Sequence, residues 1–262
     1  MQHIVITGST RGIGLCLAAE FLKAGCRVTL SGRGETPPET VRALADAHPD
    51  RVRYIPCDVR QAEKLEILWH EAARWGRIDH WINNAGRNAP YEPVADTDPR
   101  CADEVLDTNL RGVIHGSRVA VRGMRAQGGG QVWNMEGLGS DNRIQKGTVL
   151  YATTKHALTY FSRGLAAELA GTDVRVGRLA PGMMLTDFIT KTPEGEASPV
   201  IRDPAFRWIF NVLGDRPETV AAYLVPRILA NRRQNRRIRW LSTGKVLGRF
   251  LMAPFRRGRL LP

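Results

Sequence analysis

The sequence predicts a single α/β domain, a parallel sheet of about seven strands doubly wound by helices, and three observations lead there. Short apolar, β-branched runs alternate with amphipathic stretches through almost the whole chain. Glycines mark the joints, at Gly25, Gly76, Gly128 to Gly130 and Gly171. No internal repeat or low-complexity linker interrupts the pattern. Parallel strands need crossover connections, so sustained strand–helix alternation implies a sheet with helices on both faces.

Strands are expected at 3–7, 27–31, 52–56, 79–83, 131–135, 174–179 and 237–241. Amphipathic helices are expected near 12–24, 38–47, 61–75, 101–125, 151–170 and 217–230. Segment 183–216 breaks the alternation. It is long and rich in proline and aromatic residues, and it reads as a lid or substrate loop rather than a packing element. The domain is taken as 1–230 with that loop inside it. Residues 231–262 add the last strand and a basic C-terminal extension.

With 262 residues, 43% hydrophobic and 24% charged, the chain can bury a sizeable core. No apolar run reaches the ~18 residues of a membrane-spanning helix. The chain opens directly on the strand-like His3-Ile4-Val5-Ile6, without a basic-then-apolar leader, so a cytoplasmic location is expected. Cys16, Cys26, Cys57 and Cys101 are scattered, which argues for reduced, buried thiols and against a disulfide framework or zinc site. The histidines form no i, i+4 pair, and no metal is expected.

The net charge of +12 is concentrated at one end. Beyond Glu218 there is no acidic residue, only Arg227, Arg232, Arg233, Arg236, Arg237, Arg239, Lys245, Arg249, Arg256, Arg257 and Arg259. No recognition motif accompanies this basic run, so no nucleic-acid partner is expected.

The first strand runs into Thr7-Gly8-Ser9-Thr10-Arg11-Gly12-Ile13-Gly14 and then a helix. Glycines at such a bend let the backbone approach a pyrophosphate, and the helix N-terminus supplies N–H groups. The strand before and helix after distinguish this loop from an ordinary tight turn. An acid at the end of the second strand would bind the 2′-hydroxyl of NAD. That strand ends Leu30-Ser31-Gly32-Arg33. Arg33 and Arg11 can together hold a 2′-phosphate, or each can be a solvated charge; with the acid missing, NADPH is favoured over NADH. Further on, Tyr151 and Lys155 are spaced to be neighbours on one helical face. A nearby ammonium and an oxidised nicotinamide would lower the tyrosine pKa and suit it to proton transfer.

The spacing T-G-x-x-x-G-I-G resembles the short-chain dehydrogenase/reductase superfamily, a Rossmann-type fold, and further motifs follow in order over most of the chain. Asp58-Val59 follows the third strand, where the family contacts adenine. Asn83-Asn84-Ala85-Gly86 ends the fourth, and Asn109 lies in the next helix. Tyr151-x-x-x-Lys155 opens a later helix, and Pro181-Gly182-Met183-Met184-Leu185-Thr186 leaves the sixth strand. The resemblance implies a cofactor site formed by Gly8, Ser9, Thr10, Arg11, Gly12, Ile13, Gly14, Arg33, Asp58, Val59, Asn84, Ala85, Gly86, Tyr151, Lys155, Pro181, Gly182, Met183 and Thr186. It implies Tyr151 as proton donor to a carbonyl, Lys155 on the nicotinamide ribose and Asn109 holding a relay water. It also implies a homodimer or homotetramer. The family's serine, about a dozen residues before the tyrosine, aligns with Gly137 or Leu138. Ser140 is the nearest hydroxyl: it reaches the substrate oxygen if the loop bends, or it is a turn residue. If it does not serve, backbone N–H groups or Glu136 must orient the carbonyl.

Segments 134–140, 181–187, 210–213, 217–227 and 256–259 look like chlorophyll b reductases, which reduce a ring formyl group with NADPH. That group shares the acid-glycine replacement at the serine region. The resemblance implies a large, flat, apolar aldehyde or ketone as substrate. Two other readings stand beside it. Reduction of a 3-oxoacyl group on acyl carrier protein would suit a basic surface, although 134–140 and 183–216 depart from that pattern. A non-catalytic NADPH sensor would need no Asn109, Tyr151 or Lys155. The tail interleaves its cations with Ile238, Trp240, Leu241, Val246, Leu247, Phe250, Leu251, Met252 and Phe255. It reads either as a seventh strand, a short helix (243–252) and a charged face at a subunit interface, or as a basic amphipathic element on an anionic membrane. The first reading is favoured.

Overall fold

The computed structural model describes residues 1–192, 195–255 and 260–261. Strands β1 (His3–Ile6), β2 (Arg27–Gly32), β3 (Val52–Pro56), β4 (His80–Asn83), β5 (Gly130–Met135), β6 (Val174–Ala180) and β7 (Arg236–Arg239) make one seven-stranded sheet. Its order is β3-β2-β1-β4-β5-β6-β7, with every neighbouring pair parallel. The helices are α1 (Gly12–Lys23), α2 (Glu39–Ala47), α3 (Ala62–Ala73), α4 (Pro99–Leu106), α5 (Gly112–Ala126), α6 (Val149–Glu168), α7 (Asp187–Thr190), α8 (Pro204–Leu213), α9 (Pro217–Leu229) and α10 (Thr243–Leu251).

All of β1 is buried, and its side chains alternate between two cores. Ile4 and Ile6 join Leu17 and Phe21 of α1 and Val220 and Leu224 of α9. Val5 faces the other way, toward Leu65 and Leu68 of α3 and Val119 and Met124 of α5. A strand sandwiched between two helical layers must be apolar on both faces, as this one is. Strand order reverses between β1 and β4, which opens a crevice at the carboxyl ends of the strands.

The observed strands begin and end within two residues of the expected ones. The expected helix 101–125 is three pieces: α4, a π-helical turn at Asp107–Arg111, and α5. Such turns widen the helix and often accompany functional sites. Segment 183–216 has more internal structure than a loop. It holds α7, a 3₁₀ turn at Pro199–Arg202 and α8, which Asp203 caps by accepting the Ala205 N–H at 2.9 Å. Its base is stitched by Asp215 N–H to the Met183 carbonyl (3.0 Å) and Leu185 N–H to the Asp215 carbonyl (2.9 Å).

Among the described residues, no helix is long and apolar enough to cross a membrane, and no cluster of side chains has the makings of a metal site. Cys26 and Cys57 are buried as expected, whereas Cys16 and Cys101 are half-buried. Arg256, Arg257 and Arg259 of the expected basic tail lie outside the described residues.

Candidate active site

The glycine loop is locked to the end of β4. The Thr7 hydroxyl accepts the Asn84 and Ala85 N–H groups at 3.0 and 3.1 Å. The Asn84 amide donates back to the carbonyls of Thr7 and Gly8, both at 2.9 Å. Gly8 has φ +60°, and a Cβ there would lie 2.7 Å from Ala85 Cα; a Cβ on Gly14 would lie 2.5 Å from the Asn84 amide nitrogen. Only glycine allows this approach. A Cβ on Gly12, in contrast, would meet only Thr186 Cγ2, at 3.8 Å, and would project into the space between the loop and residue 186. No side chain caps the start of α1. Open space beside uncapped helix N–H groups fits a dinucleotide pyrophosphate.

The expected cofactor residues divide by what they touch. Arg11 is exposed and leans 3.7 Å from Asp187 at the start of α7. Arg33 is exposed just after β2, and its charge helps hold the Asp58 carboxyl low. The main cause of that lowering is Arg60, which grips the Asp58 carboxylate through Nε and Nη2 at 2.6–3.0 Å. Thr10 packs against Gly32, Gly86 is exposed with Asn109 and Phe188 beside it, and Thr186 faces Gly12, whereas Gly182, after the buried Pro181, faces Leu241 and Trp240. Three of them are held within the fold. Ser9 is buried, its hydroxyl donating to the Ile6 carbonyl (2.7 Å) and its N–H to the Ser31 carbonyl (2.9 Å), so it stitches β1 to β2. Ile13 packs on the core, and Val59 is buried with its Cγ2 where a Cβ on Gly112 would lie within 2.9 Å.

Tyr151 and Lys155 share one face of α6, with the lysine Nζ 5.7 Å from the tyrosine ring centroid. Lys155 is buried and donates to the Met135 carbonyl at 3.1 Å, at the end of β5. Burial lowers its pKa to about 8, against the raising effect of the nearby Glu136 charge. Burial pushes the Tyr151 hydroxyl upward. The expected lowering is therefore absent from the protein alone, where desolvation by burial is the cause at work. Phe188 of α7 stands edge-on to Tyr151, with ring centroids 5.6 Å apart.

Sequence reasoning missed three features here. A Cβ on Gly137 would overlap the Tyr151 hydroxyl oxygen and lie 3.2 Å from Lys155 Cγ. Phe188 is the aromatic neighbour of the tyrosine, and the only hint was its place just after Thr186-Asp187. Glu136 does not point at a substrate position: its buried carboxylate is held by Arg178 of β6 (3.2 Å) and Arg237 of β7 (2.6 Å).

Ser140, left by the sequence as either a substrate contact or a turn residue, is engaged within the loop. Its hydroxyl donates to the Lys155 carbonyl and accepts the Gly137 N–H, each at 3.2 Å. It is buried and staples the 136–140 loop to α6, the turn-residue alternative. Asn109 lies in the π-helical turn and is fully buried. Its side chain clamps the Arg87 backbone, accepting N–H and donating to C=O at 2.8 Å each, and reaches the Thr154 hydroxyl at 3.4 Å. It thereby ties the end of β4 to the turn of α6 that carries Lys155.

Fold and site together define an oxidoreductase of the doubly wound class. The chain belongs to the short chain dehydrogenase family, which it matches over residues 2–197. It is 36% identical over 235 residues to chlorophyll(ide) b reductase NOL, chloroplastic, of Arabidopsis thaliana, covering 87% of this chain and 65% of that protein. The chain thus spans less than two thirds of that relative's length. Two solved structures share the fold. A gluconate 5-dehydrogenase from Burkholderia cenocepacia in complex with NADP and tartrate superposes with TM-score 0.77 at 24% identity, over 94% of this chain and 95% of that one. A 3-ketoacyl-(acyl-carrier-protein) reductase from Brucella melitensis complexed with NADH also gives 0.77, at 21% identity, over 91% and 96%.

Proposed function

We propose that the protein is an NADPH-dependent carbonyl reductase acting on a bulky apolar aldehyde or ketone, of the kind presented by the formyl group of chlorophyll(ide) b. The observation that carries this reading is the Tyr151 hydroxyl facing the side-chain-free Gly137 beside the buried Lys155. A proton donor that position 137 leaves uncrowded by a side chain suits a large carbonyl compound. Likeness to the Arabidopsis reductase supports the same substrate class.

The cofactor would be held by the glycine loop and the N-terminus of α1, with Asp58, Asn84 and Gly86 bordering the crevice. Arg11 and Arg33, with no acid at the end of β2, support a 2′-phosphate and hence NADPH. When bound, NADPH supplies hydride to the carbonyl carbon. Tyr151 gives the carbonyl oxygen its proton through Oη. Lys155, near pKa 8, is charged at neutral pH and favours the phenolate that remains. Asn109 anchors the segment through which a relay water would return the proton. Ser140 positions the loop rather than touching substrate. The buried thiols Cys26 and Cys57 suit a reducing compartment, which we take to be the cytoplasm.

The test is NADPH consumption by purified protein with chlorophyllide b, simple aldehydes and ketones, and a 3-oxoacyl thioester. Turnover of the formyl-tetrapyrrole supports the reading. Turnover of the thioester alone replaces the substrate class, and NADPH binding with no turnover of any of them makes the protein a sensor.

A further inference from the structure

α10 is folded inside out. A surface helix normally turns its apolar stripe to the core and its charges to water. In α10 no residue is buried. Its cations face inward: the Lys245 ammonium lies over the Trp240 ring, and Arg249 grips the Asp215 carboxylate at 2.6 and 2.9 Å and donates to the Leu213 carbonyl at 2.9 Å. Val246 is half-buried, but the larger apolar side chains face out, with Leu247 61%, Leu251 68% and, just past the helix, Met252 57% exposed. The lid helix α8 extends the same surface. Trp208, 57% exposed, stacks at 5.7 Å on Phe250 of α10, and Ile209 beside it is also exposed. A contiguous apolar surface of this kind marks an interaction site.

The charges around it select the partner. Two of the acids between Arg202 and α10 are committed, Asp203 as the cap of α8 and Asp215 to Arg249 and the Trp240 indole N–H, while Glu218, at the start of α9, stands against Cys16 of α1. Arg202 and Arg216 flank α8 and Arg239 precedes α10, all exposed, and no acid follows Glu218 in the sequence. A second copy docked symmetrically would bring this cationic rim against itself. Anionic headgroups complement it, with the aromatic and leucine side chains entering the acyl boundary.

We propose that the outward face of α8 and α10 docks the protein on an anionic lipid bilayer. Asp215 gives the contact a mechanical consequence, because it joins α10 to the base of the lid at Met183 and Leu185. For a bulky apolar substrate, which rests on the function proposed above, docking sets the lid at the surface into which such a molecule partitions.

The test is co-sedimentation of the full chain with phosphatidylcholine vesicles with and without phosphatidylglycerol, at low and high salt. Binding is expected to need phosphatidylglycerol and to weaken with salt. Leu247→Asp/Leu251→Asp and Trp208→Ser alter exposed side chains, and their unchanged melting temperature and NADPH binding would verify the fold. Each is expected to weaken vesicle binding by about tenfold or more. Absence of binding to phosphatidylglycerol vesicles at low salt overturns the proposal. So does binding that these variants leave intact, or a dimer, seen by light scattering, that they dissociate while vesicles are ignored. None of these readouts uses turnover, so failure here leaves the proposed reaction standing.

Discussion

The Tyr151 hydroxyl occupies the place that a side chain at Gly137 would need. In a chain whose family has a serine near this position, glycine here is the geometric condition for the tyrosine's present pose. Gly137→Ser must therefore displace the phenol or the 136–140 loop. Since a misplacement of about 1 Å can cost ~100-fold, turnover should fall by roughly that factor. Affinity for NADPH, which the proposed function assigns to the glycine loop, should stay within a few-fold. A titration of cofactor fluorescence beside steady-state kinetics measures both, and full activity in the serine variant would mean that the tyrosine has another working position.

Tyr151→Phe removes the proposed proton donor while keeping the ring against Phe188. The expected loss in kcat is between roughly a hundredfold and ten-thousandfold, with cofactor binding retained. A variant within a few-fold of the parent would move general acid catalysis to a different group.

Cofactor preference should be controlled by Arg33, which stands exposed beyond the acid-free end of β2. Arg33→Asp removes a 2′-phosphate partner and installs a 2′-hydroxyl acceptor. NADPH should bind at least about tenfold more weakly, the worth of one charge-assisted hydrogen bond, while NADH gains. Dissociation constants for the two cofactors, measured with the same preparation, check this. An unchanged ratio would assign discrimination to Arg11 or elsewhere.

The Glu136 carboxylate joins β5 to both following strands through Arg178 and Arg237. Removing one member of such a group strands the remaining charges, at a cost of about 3–5 kcal/mol. Glu136→Gln should thus lower the urea midpoint strongly. It should also drop the Lys155 pKa further, because the Glu136 charge opposes burial at that lysine. The acidic displacement would appear in a pH profile of kcat. Replacing Glu136, Arg178 and Arg237 together by apolar residues should cost much less than the single change.

Acid should destabilise the fold before the carboxylates protonate. Burial holds the folded-state pKa of His3 and His80 at about 4, against 6.5 when exposed. Below pH 6.5 the unfolded chain takes up protons that the folded state refuses, so stability present at neutral pH is lost as pH falls toward 4. At pH 5 this amounts to about 2 kcal/mol for each histidine. Melting temperatures from pH 7 to 4.5 measure the slope, and His80→Gln should reduce it. An equally steep slope in that variant would trace the acid sensitivity to other groups.

What was legible in the sequence was whatever depends on local spacing. Period-two and period-3.6 patterns located the strands and framework helices, because a residue's face is set by its neighbours along the chain. The glycine loop was legible because the bend needs residues without side chains at fixed steps. Tyr151 and Lys155 were legible because four residues make one helical turn. Tertiary structure decided the roles that depend on partners far away in sequence. Ser140 became a staple because its hydroxyl meets both Gly137 and Lys155, and Glu136 became a structural anion because β6 and β7 bring arginines 42 and 101 residues distant to its two oxygens. The inward charges of α10 belong to the same class: its pattern is amphipathic either way, and only Asp215 and Trp240 decide which stripe faces the protein. Periodicity states that a helix has two faces, and the electrostatics of the packed neighbours choose between them.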